Sequence, residues 1–473
     1  MDDRHAARPA LSRPDLSRPD LSRPDLSRPD LSRPDLSRRS VLRAAGAGAA
    51  LLGGGGLLAA CSSGGPATPA ATASRGIVIG FIHPLTGALR GYGSADNWIV
   101  STIMATPQYQ GGFEAGGTIY PVTIKSYDTG SDPARARTLA QTAIQSDQVD
   151  LIVTSSTPEL VNPVATVAEQ LGMPALCATA PWQAWYASLG GSPAQPAARP
   201  AWVTMYGTGV NDVCGTFLPM WNKIGGQAGT DMTVAGLFAG NADGAAFRSG
   251  WPGYAGPAGY TLVDPPAYRA GQTNYGPFVS KFRTGQCELF TGVAPAADFA
   301  AFWKQAARQG FKPKLATGAG ILPFPADATA LGALASNIAV SAWWTPNMTW
   351  LSALTGQSCP QLAAAYSAAT GAPWVQSLSN YSLFEVAQAA LTSVHDPHDK
   401  AEVAAALAKV NINGIAGTLD WTASSNPAPG VVDTPCLGAQ WKLGPAGSVS
   451  LQVVDNTLMP QVALTGKLEP TNK

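Results

Sequence analysis

"GIVIGFIHPLTGALRGYG", Gly76 to Gly93, opens the part of the chain that reads as folded. An apolar run rich in Ile ends abruptly in a loop punctuated by proline and glycine. It is too short for a buried helix, so it reads as a strand covered on both faces. Similar runs return at "YPVTIKSY" (120–127), "DLIVTSS" (150–156) and "MPALCATA" (173–180), each followed by a turn signal or a helix-like segment. In "DTGSDPARARTLAQTAIQSD" (128–147), Asp132 is placed to cap a helix with Pro133 at its first position. "NPVATVAEQLG" ends on Gly172, which suits a helix C-terminus. Strand–helix alternation of this kind predicts a parallel sheet with helices on both faces.

The alternation then restarts. "TVAGLFAG" (233–240), "YTLVDP" (260–265), "ELFTGVA" (288–294) and "KLATGAG" (314–320) read as strands. Between them lie "NYGPFVSKFRTG" and "ADFAAFWKQAARQGF", where Phe299, Phe302, Trp303 and Ala306 fall at helical spacing and form a core face. "NIAVSAWW" (337–344) is followed by helices around "CPQLAAAYSAATG", "YSLFEVAQAAL" and "KAEVAAALAKV". Short β-like pieces, "GTLDW", "AQWKLG" and "SLQVVDN", close the chain. Two successive α/β units, then helices and a β-rich tail, predict two lobes.

The order of these pieces is specific. "PLTGALRGYG", Asp128 leading into "SDP", "VTSSTPE", "GNADGAAF", "FWKQAARQGFKP", "LFEVAQAAL" and the closing "PQVALTGKLEP" span nearly all of the chain after residue 75. In this order they resemble the type I periplasmic-binding-protein fold. Within it, the chain resembles the branched-chain amino acid (Leu/Ile/Val) group of substrate-binding proteins for ABC transporters. The resemblance implies an α/β fold class: two Rossmann-like lobes, joined by three crossovers near Tyr206, Trp344 and Cys436, closing on a ligand in the cleft. The N-terminal lobe would comprise 76–206 and 345–435, and the C-terminal lobe 207–344 and 436–465. The implied partners are a small-molecule ligand and the permease subunits of an ABC importer. A surface sensor that binds the same ligand and reports to a receptor is the alternative.

In open α/β sheets, ligands bind beyond the carboxyl ends of the strands, near helix N-termini. Three loops of the first lobe qualify. The first offers Thr86 and Tyr92; the second Ser155, Ser156 and Thr157; the third Thr179, Ala180 and Trp182. The hydroxyls of 155–157 serve either a ligand or a helix cap, and Trp182 either the cleft or lobe packing. Tyr206 sits at a crossover. By the resemblance, a second-lobe aromatic, a tyrosine and an acid that holds an ammonium would fall at Asp243, Pro295 and Ala319. All three depart. An ammonium buried without a counter-charge is costly, so the branched-chain reading weakens unless Asp243 supplies the acid; otherwise Asp243 only caps its helix. With 13 tryptophans, several near expected cleft edges (Trp182, Trp185, Trp343, Trp344), an aromatic acid or amide fits as well as leucine.

Ahead of the folded part, "SRRSVLRAAGAGAALLGGGGLLAACSSGG" (37–65) combines basic residues, a glycine-broken apolar stretch and a single cysteine. The stretch is short for a permanent span but suits an export signal. Arg38-Arg39 resembles a twin-arginine signal, although general secretion also carries lipoproteins. Leu58-Ala59-Ala60-Cys61 resembles a lipobox, which implies lipidation at Cys61, an anchor on the extracytoplasmic face of the cell membrane, and a flexible tether over 61–75. Upstream, "LSRPD" repeats five times from Leu11 to Asp35. Its regular prolines and alternating charges predict disorder over 1–36, either as an extended leader or as an over-long start.

Residues 1–60 hold 10 of the 30 Lys and Arg and 7 of the 30 Asp and Glu, so the remainder carries a net charge of −3. No basic stripe is left for nucleic acid. Five cysteines beyond Cys61 (Cys177, Cys214, Cys287, Cys359, Cys436) show no C-x-x-C spacing; one or two disulfides fit an exported chain, with one thiol left over. No G-x-S-x-G, H-E-x-x-H or P-loop is present, which argues against an enzyme and leaves no need for a cofactor or metal. "HDPHD" (395–399) reads as a solvated loop. His83, after the first strand, is placed for a polar contact in the cleft.

Overall fold

A computed structural model describes residues 71–225 and 233–471. The repeat tail, the Arg38-Arg39 signal and Cys61 lie outside the described residues. Taken in chain order, the strands that build the two main sheets are β1 (Ile77–His83), β2 (Val122–Asp128), β3 (Leu151–Ser155), β4 (Ala175–Ala178) and β5 (Val203–Gly207). They continue as β6 (Thr233–Phe238), β7 (Thr261–Val263), β8 (Leu289–Val293), β9 (Leu315–Gly318) and β10 (Ala339–Ala342). The last three are β11 (Val431–Asp433), β12 (Leu437–Leu443) and β13 (Val449–Asp455).

One sheet has the order β11-β5-β4-β3-β1-β2, parallel throughout. The other has the order β7-β6-β8-β9-β10-β12-β13; its first five strands run parallel and the last two join antiparallel. The central strands are buried along their whole length, as sheets covered on both faces require. Two such sheets, each with covering helices, give the two α/β lobes that the sequence resemblance implies. The chain leaves the first sheet after Gly207, returns from the second after Ala342, and leaves the first again after Asp433. Two strands, β5 and β11, arise where the sequence offered no strand pattern. At three residues β11 is too short to show a period.

The covering helices obey their sequence signals. Asp132 accepts from the backbone N–H groups of Ala134 and Arg135 (2.7 and 3.0 Å) at the start of Pro133–Gln145. Gly172 ends Pro158–Leu171 in the left-handed region, φ 65°. Phe299, Phe302, Trp303 and Ala306 are buried against Phe290 and Phe282 in the core of the second lobe.

Two expectations change and one is extended. All five cysteines are buried, and Cys177, Cys214, Cys359 and Cys436 are thiols packed as small apolar groups in place of the anticipated disulfides. The 395–399 loop is exposed at His395, Asp396 and Asp399, as expected, and is also pinned. His398 Nδ1 lies 2.9 Å from Asp150 Oδ1, which also receives Arg75 at 2.8 Å, and a Cβ on Gly116 (φ 54°) would run into the His395 carbonyl. Finally, Ala71–Thr72 pair in parallel with Thr118–Ile119, so the end of the tether segment is docked.

Candidate functional site

The cavity at the carboxyl ends of both sheets is lined from each side. Tyr92, Thr157, Thr179 and Tyr206 come from the first lobe, and Asp243, Phe247, Ala319 and Gly320 from the second. Thr208, Ser341, Trp343 and Thr434 come from the crossovers, and Ser379 and Ala416 from the 345–435 segment. Its volume is about 70 Å³ measured at the centres of water-sized spheres, enough for several waters or one small solute.

Local structure explains each wall. Thr157 is the N-cap residue of α1 (Pro158–Leu171), yet its side chain makes no cap bond; its Oγ1 is buried without a partner. Asp243 lies in the first turn of α2 (Ala242–Ala255), where Asn241 takes the capping role by accepting from the Gly244 N–H at 2.8 Å. The aspartate is therefore free of capping, and its Oδ1 is buried with no partner. Burial, and then the charge of Glu159, push its carboxyl well above the ordinary aspartate range. Trp343 and Tyr92 lie parallel (5° between planes, centroids 6.2 Å apart), with Phe324 edge-on to both. Trp343 Nε1 is a buried donor with no acceptor.

Thr179 is held at φ 74°, a region that β-branched residues avoid. A buried polar chain holds it there. Thr179 Oγ1 is 2.7 Å from Ser155 Oγ, which donates to Asn380 Oδ1 at 2.7 Å; Asn380 Nδ2 donates to Asp96 Oδ1 at 2.8 Å, and Asp96 Oδ2 meets His83 Nδ1 at 2.8 Å. Strain of this kind persists only where the surroundings over-determine it.

Five expected site residues lie off the cavity lining. Thr86 donates to Asp128 at 2.6 Å and faces outward; Ser155 is occupied in the polar chain. Ser156 and Ala180 are buried in the lobe, and Trp182 packs there with its Nε1 on Asn211 at 3.2 Å. His83 is likewise interior, stacked on Phe81 at 3.8 Å. Trp185 and Trp344 are core, the latter donating to the Ile415 carbonyl. Pro295 only precedes a helix, whereas Ala319 does line the cavity. Thr208, Phe247, Ser379, Ala416 and Thr434 were not legible in sequence, because only tertiary packing brings these distant parts of the chain to one cavity.

Behind the cavity, two carboxyls meet where the chain passes between lobes. The Gly209 N–H donates to Asp212 Oδ2 (2.8 Å) and to Asp433 Oδ1 (3.2 Å), and Asn211 Nδ2 donates to Asp433 Oδ2 (2.9 Å). Burial first, and then Asp433, push the Asp212 carboxyl up to about 9. A folded carboxyl that keeps its proton above the unfolded value loses stability as pH rises from the unfolded value to the folded one. Stability should therefore decline between about pH 4 and 9. Asp212→Asn should flatten that slope in urea melts at stepped pH; an unchanged slope would remove the pair as its source.

A two-lobed α/β body with a cavity lined from both lobes and carrying unpartnered donors and acceptors defines a solute-binding protein. The profile of the periplasmic binding protein family matches residues 76–442, and the chain belongs to that family. Solved structures with the same fold include a leucine-binding protein from Thermotoga maritima (15% identity, covering 80% of this chain and 99% of that one, TM-score 0.64). An ABC transporter substrate-binding protein from Sphaerobacter thermophilus follows (20%, 80% and 97%, 0.63), as does a Rhodopseudomonas palustris solute-binding protein solved with 3,4-dihydroxybenzoic acid (16%, 79% and 94%, 0.59). Comparison with curated proteins finds no match. The family is one of extracytoplasmic, non-enzymatic binding proteins. Among the described residues, no helix is long and apolar enough to cross a membrane.

Proposed function

We propose that this protein is a lipid-anchored, extracytoplasmic receptor that captures one small organic solute and delivers it to an ABC importer. The observation that carries the reading is the set of orphaned polar atoms at one cavity: Thr157 Oγ1, Thr208 Oγ1, Asp243 Oδ1 and Trp343 Nε1. Buried polar atoms are rarely left without partners, and a bound solute that donates and accepts would satisfy all four. Amino acid-type compounds and hydroxybenzoic acids, the ligands named for the similar structures, both have the size and polarity for such a role. Of the expected contacts, Tyr92, Thr157, Thr179, Tyr206 and Asp243 are the ones we assign to the ligand.

The test is mass spectrometry of whatever co-purifies with the protein, followed by removal and return of that compound. Its return should shrink the radius of gyration and raise the melting temperature, by mass action about 2.7 kcal/mol at a hundredfold excess over Kd. Chemical conversion of the compound would overturn the reading.

Anchoring is tested separately. Cys61→Ala should release the protein to the medium or leave the precursor uncut. Unchanged membrane retention, with no lipid on the native protein, would count against Cys61 as the anchor.

A further inference from the structure

Phe324 belongs by chain to the second lobe and by packing to the first. It ends the loop "GAGILPF" (318–324) that leaves β9. Ile321 and Leu322, just before it, lie in the core of the second lobe. The Phe324 ring instead joins the apolar cluster built on β1 and β3, where it is 5% exposed, and it does not line the cavity. It stands edge-on to Tyr92 of the loop after β1, with centroids 5.0 Å apart. A Cβ on Gly91 would run into the same ring. Gly91 is not among the residues with positive φ, so its missing side chain makes room and is not needed for backbone freedom. Both sides of this contact are held. The Phe324 N–H donates to Asp327 Oδ2 (3.1 Å) at the start of the helix Pro325–Leu331. The Pro323 carbonyl accepts from Gln376 Nε2 (2.9 Å), and Gln376 lies buried in the 345–435 segment beside Asn380. On the receiving side, the Asn380 amide donates to the Tyr92 carbonyl (3.3 Å).

We propose that Phe324 is a latch: its ring, seated on Gly91 and Tyr92, holds the two lobes closed whether or not a solute lies between them. Opening the cleft must pull the ring off the first lobe and return its apolar surface to water, which is unfavourable in proportion to the area exposed. It must also break the Gln376–Pro323 hydrogen bond, which crosses between the lobes and has no other acceptor in reach of that amide. The cavity pulls the other way. Thr157 Oγ1, Asp243 Oδ1 and Trp343 Nε1 are buried there without partners, and water entering an opened cleft would satisfy them. Closure by the protein alone therefore rests on contacts outside the cavity wall, and Phe324 is the aromatic side chain that crosses there. Removing its ring should lower the ratio of closed to open molecules about tenfold or more. The latch also acts on the site: Phe324 is edge-on to Trp343 as well as to Tyr92, so the parallel pair keeps its spacing only while the ring is seated.

The experiment is small-angle X-ray scattering on variants of the same full chain, each stripped of any co-purifying compound and checked by mass spectrometry. The native protein should scatter as the closed form. Phe324→Ala should show a larger radius of gyration while keeping a cooperative urea transition. Gly91→Ala should open the lobes too, because its methyl takes the space of the ring. The two together should be no more open than Phe324→Ala alone, since the methyl then has nothing to strike. If Phe324→Ala fails to fold, Gly91→Ala decides. An open native protein, an unchanged radius in the folded single variants, or a double variant more open than Phe324→Ala overturns the latch. None of these outcomes involves a solute, so the solute-binding reading stands or falls separately, on the compound that co-purifies.

Discussion

Asn380→Ala should destabilise the protein by about 3–5 kcal/mol, read as a lower urea midpoint. Asn380 makes three bonds at the centre of the first lobe: its amide donates to Asp96 at 2.8 Å and to the Tyr92 carbonyl at 3.3 Å, and its Oδ1 accepts from Ser155 at 2.7 Å. Alanine would leave Asp96, which is fully buried, with one oxygen unmatched, and Ser155 with Thr179 alone. Asn380→Asp should do worse, because it sets two carboxyls face to face. The loss should reach the cavity too: once Ser155 is free to turn, Thr179 can relax from its left-handed backbone, and ligand affinity should fall with stability. A variant that unfolds at the native urea concentration would show that the polar chain supports nothing.

Glu385→Ala should cost a similar amount, about 3–5 kcal/mol, by the same rule for a buried group whose partners are left behind. Glu385 is buried on the helix Tyr381–Thr392 and accepts from the Ala353 N–H (2.8 Å), the Ile415 N–H (2.9 Å) and Ser382 Oγ (2.7 Å). Ser382 Oγ in turn accepts from the N–H of Ala416, a cavity residue. One carboxyl thus ties three chain segments to the wall of the site. Glu385→Gln should rescue only part of the loss, since its NH₂ must face an N–H donor whichever way it turns. Burial holds the Glu385 carboxyl above its ordinary range, so folding takes up a proton there and stability should fall as pH climbs through that window. Glu385→Gln should flatten this slope. Full recovery of the urea midpoint in Glu385→Gln would mean that shape alone, and not the acceptor pair, matters.

How much of this was legible depends on the distance over which the physics acts. Most strands of both sheets, though not β5 or β11, were readable because burial on two faces writes an apolar run into a single segment, as at 77–83 and 289–293. Asp132 and Gly172 were readable because caps act within one turn. The site was readable only where one loop decides it. "STP" placed a hydroxyl at a helix start, but whether Ser155, Ser156 or Thr157 faces the cavity depends on Asn380, 225 residues away in sequence. "WW" marked a cleft edge, yet alternation along the chain sends Trp343 to the cavity and Trp344 to the core. Ser379, Ala416 and Thr434 carried no local signal, because only tertiary packing brings them to the cavity.

If Cys61 carries the proposed lipid, the docked segment Ala71–Thr72 would set the length of a leash. Its pairing with Thr118–Ile119, and the Arg75–Asp150 contact beyond it, fix where the chain departs from the first lobe. A lipid on Cys61 would leave only the ten residues 61–70 to span the gap. Fully extended, they reach roughly 33–36 Å. The first lobe would then stay within one protein diameter of the bilayer, and its search for a transporter would become a two-dimensional one. Effective concentration at that surface, rather than affinity in free solution, would govern how often a loaded receptor meets its importer. Lengthening the leash with Gly-Ser repeats should dilute that encounter without touching the cavity.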